Sequence, residues 1–450
     1  MDAEPTAYRI TDPGIRALFS ESARIQSWLD VEAALALAEA ELGIIPEQAA
    51  DEIARKAKFE NLNLDNIHQG LATTGHPIVP TVWELDRVCE GDAGDYVHWG
   101  ATTQNIIQTA KLMMIRQAHG IFLGQLGDLL TLLAGLADTT KDMAMPARTH
   151  GQHAVPATFG YKVSVWIDEL ARHVERLRGA EPRVFVAMLG GGAGTLASLG
   201  EIGLDVQGRM AERLGLSSMR NPARTIADHL AEYVTLLGLL AATSSKIARE
   251  IYTLMKQEFG ELEEPVPEGT VGSSTMPQKR NPKLTQDIVA AAAELRAQVP
   301  LALEAMQTEH EADRTTYIMI NRALDQSCIL TGDILQRLIN VFEGLRLFPD
   351  RMRQNLDLTG GLIMSEAIML ELGRKIGRQK AHDAVYDAAQ AAFVEGRPFC
   401  ETLAEQGEVK NGLSDDQIAE LLQPEQYLGA CRLLAERGAE HARKIARSLK

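Results

Sequence analysis

Residues 230–252 read LAEYVTLLGLLAATSSKIAREIY. On the 3.6-residue helical period their apolar side chains nearly encircle the predicted helix instead of forming one stripe. A helix without a wet face is buried on every side, most simply by packing against other copies of the chain, so this stretch predicts a homo-oligomer. Proline-free intervals repeat the theme at 105–145, 157–181, 223–264 and 301–347. In the first of them, Ile106, Ala110, Met113, Met114, Ile121, Leu126, Leu129, Leu130, Leu133 and Leu136 recur at helical spacing. A 40-residue helix would be roughly 60 Å long, far beyond the globular mean. Such helices, with Ala, Gly and Ser among the leucines, bury their surface side by side as a bundle. No internal repeat appears, and no alternating run is long enough for a sheet. The expected fold class is all-α. An N-terminal helical domain at 1–95 and a C-terminal one at 349–450 flank a central bundle at 96–348.

Composition narrows the function. The 450 residues are 45% hydrophobic and carry a net charge of −16. That much negative charge argues against a nucleic-acid partner, which requires a basic face. The N-terminal MDAEPTAYRI is acidic and lacks an apolar core of signal-peptide length. The longest uninterrupted apolar run, about VTLLGLLAA, falls short of the roughly 18 residues that cross a bilayer. Cys89, Cys328, Cys400 and Cys431 lie far apart, without metal or disulfide spacing. No membrane partner is expected, and a reducing cytoplasmic location is.

Familiar chemistries find little support. His150 and His153 in THGQH could share a helix face, but no histidine follows a glutamate by three residues and no HExxH occurs, so no metal is expected. The glycine run LGGGAG at 189–194 follows no predicted strand and reads as a tight turn between helices. No nucleotide loop and no GxSxG elbow is present. The exception is GTVGSSTMPQKRNPK at 269–283, in the loop 265–284. There Gly269 and Gly272 let the chain fold over a site, Pro277 and Pro282 restrain it, and Lys279, Arg280 and Lys283 gather positive charge. A loop of this kind can bind a carboxylate.

The same string resembles the fumarase/aspartase superfamily signature, GSSxMPxKxNP, at all eight fixed positions. HWGATTQNIIQT at 98–109 and ARTHGQHAVPATFG at 147–160 resemble the family's other two active-site regions. MRQNLDLTGGLIMSEAIMLELGRKIGRQKAH at 352–382 is similar to the branch holding adenylosuccinate lyase and 3-carboxy-cis,cis-muconate cycloisomerase. The resemblance implies a homotetramer with a twenty-helix core, five long helices per subunit, and active sites shared by three subunits. It also implies a small anionic di- or tricarboxylate substrate, no cofactor, and anti β-elimination that releases fumarate. Cycloisomerisation of a carboxymuconate is the alternative, and a catalytically silent structural homologue is the third.

By resemblance Ser273 is the catalytic base and His150 the general acid or carboxylate anchor. Lys279 and Asn281 match positions that bind a substrate carboxylate, with Ser274 beside them and Met276 packing the loop. Thr149 and Gln152 would bind substrate next to His150, and Thr102, Thr103 and Gln104 would do so on a separate turn. His76 falls where the lyase branch carries a second histidine, and a buried structural histidine is the equal alternative. Where the branch pattern reads TSQDxxDT, Asn105 and Gln108 replace two aspartates. Two lost negative charges would make the pocket less repulsive to an anion. EHEADRTTYIMINRALDQ at 309–326 matches neither the SSxER pattern of adenylosuccinate lyase nor the tryptophan-rich cycloisomerase pattern, which leaves the substrate open.

Overall fold

A computed structural model describes residues 5–449 and shows an all-α protein. Five long helices dominate: α1 (Thr103–Thr139), α2 (Phe159–Val184), α3 (Asp228–Leu254), α4 (Lys283–Glu304) and α5 (Arg314–Glu343). α1 has 37 residues, a length of roughly 55 Å. It stops at Thr139, and the rest of the proline-free interval turns and enters a strand. α4 runs through Pro300, where proline spacing predicts a break. In its last turns a proline removes only one ladder bond. Short two-stranded sheets also occur, including a hairpin of β1 (Ala144–Thr149) and β2 (Gln152–Thr158).

The chain divides into two compact units, 1–125 with 173–245 and 290–336, and 126–172 with 246–289 and 337–450. Every boundary falls inside one of the five long helices. In the first unit the helix Glu21–Glu41 begins where Ser20 Oγ accepts the Ala23 N–H at 3.2 Å, a cap worth about 1 kcal/mol. Ile106, Leu112, Ile115 and Phe122 of α1 are fully buried, as are Tyr233, Val234 and Leu237 of α3. Each large apolar side chain contributes about 1.5–3 kcal/mol on burial. In the second unit Leu126, Leu129 and Leu130 of α1 and Val163, Ile167 and Leu170 of α2 are equally dry. A separate cluster there unites Ile368, Leu372, Val385, Phe399 and Leu403.

α1 is long and apolar enough by length and composition to cross a membrane, unlike the uninterrupted runs in the sequence. In this fold 56% of its most apolar window is buried inside the protein, and Lys111, His119 and Gln125 point into that interior. Along 230–252 a single chain already covers most apolar positions. Leu239 and Tyr252 stay exposed, as does Val165 on α2.

Candidate active site

The turn entering α1 is built from the inside. Asn105, fully buried, accepts the Thr102 N–H at 3.1 Å and the Gly191 N–H at 3.0 Å through Oδ1. One side chain thus caps the helix start and ties it to the glycine run, which follows a two-residue strand, Val186–Ala187. Gln104 Nε2 donates to Gln108 Oε1 at 3.1 Å and to the Arg224 carbonyl at 3.0 Å, and Arg224 Nε returns a bond to Gln104 Oε1 at 3.0 Å. Arg224, which no sequence pattern marked, also reaches the Gly192 carbonyl. Burial pulls its guanidinium below the usual value. His76 Nδ1 accepts the Val79 N–H at 3.3 Å, so the neutral ring carries its proton on Nε2 and donates it to Thr103 Oγ1, 3.3 Å away. Asn105 and Gln108 therefore form the interior of this turn.

Thr149, His150 and Gln152 sit at the tip of the β1–β2 hairpin, where Thr149 faces Gln152 across the register. His150 and Gly151 are the two turn residues, with φ of +53° and +78°. Positive φ at both central positions is the type I′ pattern, which ordinarily takes Asn-Gly, so His150 occupies a strained backbone position. His153 lies on β2 opposite Arg148, so the two histidines, which could have shared a helix face, lie on a hairpin instead. Burial, then the Arg148 charge, holds its ring below the ordinary imidazole range. The turn end of the hairpin is fixed by Arg148, whose Nη1 donates to Glu261 Oε2 at 3.1 Å and Nη2 to Oε1 at 2.5 Å. Glu261 is fully buried and also accepts from Asn355 Nδ2 at 2.7 Å. Arg148 stacks on the Phe259 ring, 4.8 Å from its centroid.

The signature loop is closed at its ends. Glu264, just before it, accepts the N–H groups of Leu284 (2.9 Å) and Thr285 (3.0 Å) at the start of α4, pairing donors that every helix N-terminus leaves open. Inside, Asn281 Nδ2 donates to the Gly272 carbonyl at 2.7 Å and Lys283 Nζ to the Val271 carbonyl at 2.8 Å. Ser273 Oγ accepts the backbone N–H of Met276 at 3.0 Å and of Thr275 at 3.3 Å. Two donors converging on one hydroxyl oxygen favour negative charge on it. Ser274 and Lys279 are exposed, and Met276 is 43% exposed, so it lies open instead of packing the loop.

The three loop cations have separate fates. Lys283 is spent on a carbonyl, and Arg280 pairs at 3.2 Å with Glu263, which Arg346 shares. Lys279 meets no carboxylate among the described residues. It lines a cavity of about 490 Å³ together with Met276, Arg280, Asn281, Tyr252 and Lys256. The cavity can hold an anion against exposed cations, and Ser273 is not among the residues that line it. Among the described residues no group of three His, Cys, Asp or Glu could hold a metal ion.

Comparison with known proteins gives the class. The family described as "Lyase" matches residues 6–295, and "Adenylosuccinate lyase C-terminus" matches 361–437. The chain belongs to the fumarase/aspartase superfamily of lyases. It is 40% identical to an adenylosuccinate lyase of Methanothermobacter thermautotrophicus over 99% of this chain and 100% of that one. It is 38% identical to an N-acetyl-S-(2-succino)cysteine lyase of Dickeya dadantii, covering 93% of this chain and 92% of the other. Its fold matches the crystal structure of 3-carboxy-cis,cis-muconate lactonizing enzyme from Pseudomonas putida with a TM-score of 0.90 and 33% identity, over 98% and 100% of the two chains. Members of the family are homotetrameric enzymes that act on dicarboxylates.

Proposed function

We propose that this enzyme catalyses anti β-elimination from a substituted succinate and releases fumarate, with Ser273 as base and His150 as acid. The observation that carries the proposal is the pair of backbone N–H groups aimed at Ser273 Oγ in a loop with one uncommitted cation, Lys279. A serine hydroxyl is a weak base in water, and donors at 3.0 and 3.3 Å stabilise its alkoxide. The alkoxide takes the proton from the carbon beside a carboxylate, leaving an aci-carboxylate whose second negative charge Lys279 and Asn281 offset. The electron pair then forms the fumarate double bond as the bond to the leaving group breaks, and His150 protonates that group. His76, Thr102, Thr103, Gln104, Thr149, Gln152 and Ser274 hold the substrate carboxylates. Met276 covers the bound substrate. The sites form in a homotetramer, with Leu239, Tyr252 and Val165 covered by neighbouring subunits.

Two relatives named for succinyl compounds, adenylosuccinate and N-acetyl-S-(2-succino)cysteine, support this substrate class. The fold match to the lactonizing enzyme favours a second reading, in which the same base and acid serve cycloisomerisation of a carboxymuconate. A panel of succinyl-amine, succinyl-thioether and carboxymuconate compounds separates the two by ultraviolet absorbance. Fumarate appears in the first reaction, and conjugated muconate disappears in the second. Ser273→Ala is expected to lose about a thousandfold or more in turnover with an unchanged circular dichroism spectrum. A variant as active as the wild type would remove Ser273 from the mechanism.

A further inference from the structure

The turn 102–108, where α1 begins, reads TTQNIIQ and contains no acid. A cation nevertheless lies against it. Arg224 comes from the segment before α3, in the same compact unit as the turn. Its Nε donates to Gln104 Oε1 at 3.0 Å, Gln104 Nε2 donates back to the Arg224 carbonyl at 3.0 Å, and Nη1 donates to the Gly192 carbonyl at 2.6 Å. Acceptors on two different segments hold the guanidinium plane in one place, so little of its freedom remains to be lost when something binds it.

A guanidinium has five N–H groups. Two are used here, which leaves one on Nη1 and both on Nη2. Nη2 has no partner among the described residues and is open to solvent. The charge is equally unanswered. No carboxylate among the described residues pairs with Arg224, and the ionisable group that acts on it, the Tyr317 phenol, stays neutral because burial pushes it well above its ordinary range. Charges taken out of water are normally paired, and a brace between Gln104 and Gly192 needs donors but no charge. An anion at the free Nη1–Nη2 edge answers both the unused donors and the unbalanced charge, and a carboxylate matches that edge with two parallel bonds. The positive end of the α1 dipole at Thr103 adds to the attraction.

We propose that Arg224 is a substrate-binding residue that sets specificity: its Nη1–Nη2 edge takes one substrate carboxylate end on, so the enzyme selects ligands ionised there over their amides. The inference rests on the proposed placing of a substrate carboxylate at Thr102, Thr103 and Gln104, and Arg224 supplies the charge that those three neutral side chains lack.

Fumarate and its monoamide, fumaramate, are titrated calorimetrically into the full-length wild type, Arg224→Gln and Arg224→Lys, with 3-carboxy-cis,cis-muconate as a third probe. The wild type is expected to saturate with fumarate and to bind fumaramate less tightly. Arg224→Gln should weaken fumarate binding about tenfold or more and fumaramate binding far less, because the amide can then sit where the cation was. The preference for the dianion should shrink by a similar factor. Arg224→Lys keeps the charge and should keep the preference, and a lysine variant without it would overturn the inference. Equal weakening of both ligands in Arg224→Gln would make the residue a structural brace and overturn it as well, as would fumarate binding left unchanged. Neither result touches the elimination reading. If fumarate does not bind while the muconate binds through Arg224, the inference holds and elimination falls. If the wild type saturates with none of the three probes, both fall.

Discussion

The signature loop and the turn end of the β1–β2 hairpin lie in the same unit and are built on opposite principles. The loop holds itself with short-range bonds, Asn281 to Gly272 and Lys283 to Val271, and leaves Ser274 and Lys279 in the open. The hairpin's turn end depends on Arg148, Glu261 and Asn355, brought together from three distant parts of the chain around a carboxylate with no solvent exposure. Changes in the loop should therefore alter activity and spare stability, whereas changes in the Arg148–Glu261–Asn355 cluster should do the reverse first. The proposed chemistry rests on a loop held by its own short-range bonds, whereas a charged interior anchors the hairpin.

The largest effect is expected from Arg148→Met. It strands Glu261 as an unpaired buried charge and should cost about 3–5 kcal/mol in urea unfolding. A loss below about 1 kcal/mol would mean that this cluster is no anchor. Gly272→Ala sharpens the other side, since an added Cβ would lie 1.9 Å from the Lys279 carbonyl oxygen. The loop must shift, and activity should fall about a hundredfold while the thermal midpoint stays within a few degrees. A fall in both together would merge the two regions into one cooperative element.

Glu39 tests what a buried carboxylate costs when it lacks the partner that Glu261 has. It is fully buried and neither oxygen has a hydrogen-bond partner. Burial, then the neighbouring Glu32 charge, pushes its pKa up to about 9 from 4.5. The folded state therefore keeps a proton that the unfolded chain releases, and stability is lost as pH rises from about 5 towards 9. Glu39→Gln should remove this slope, so its advantage over wild type grows by on the order of 2 kcal/mol between pH 7 and 9. An advantage independent of pH would show that the carboxyl is already ionised in the fold. The smallest change is expected from Asn105→Asp. The new carboxylate keeps both acceptor bonds and meets the positive start of α1, which offset the cost of charging a fully buried group, so stability should move by less than about 1 kcal/mol, while KM for an anionic substrate rises.

The helices were legible because their signal is local. Proline-free intervals and apolar spacing marked α1, α2, α3 and α5, while α4 was obscured by Pro300, whose lost bond the rest of the helix outweighs. The hairpin was not legible. His-Gly is a poor type I′ signature, and THGQ scans equally well on a helical period until Thr149 is seen facing Gln152. Asn105 appeared in the sequence only as a missing charge. Its role depends on Gly191, 86 positions away, which no periodicity reports. Arg224 and Glu264 were silent for the same reason.

The sequence by itself determined the helical class and the family, because the period of burial and a run of fixed residues both lie along the chain. It also marked which loop holds Ser273. Only the tertiary structure decided which of the loop's cations stays unpaired and which histidine nitrogen carries its proton. Each of these depends on the distance between groups remote in sequence, and hydrogen bonding and charge pairing act through that distance alone.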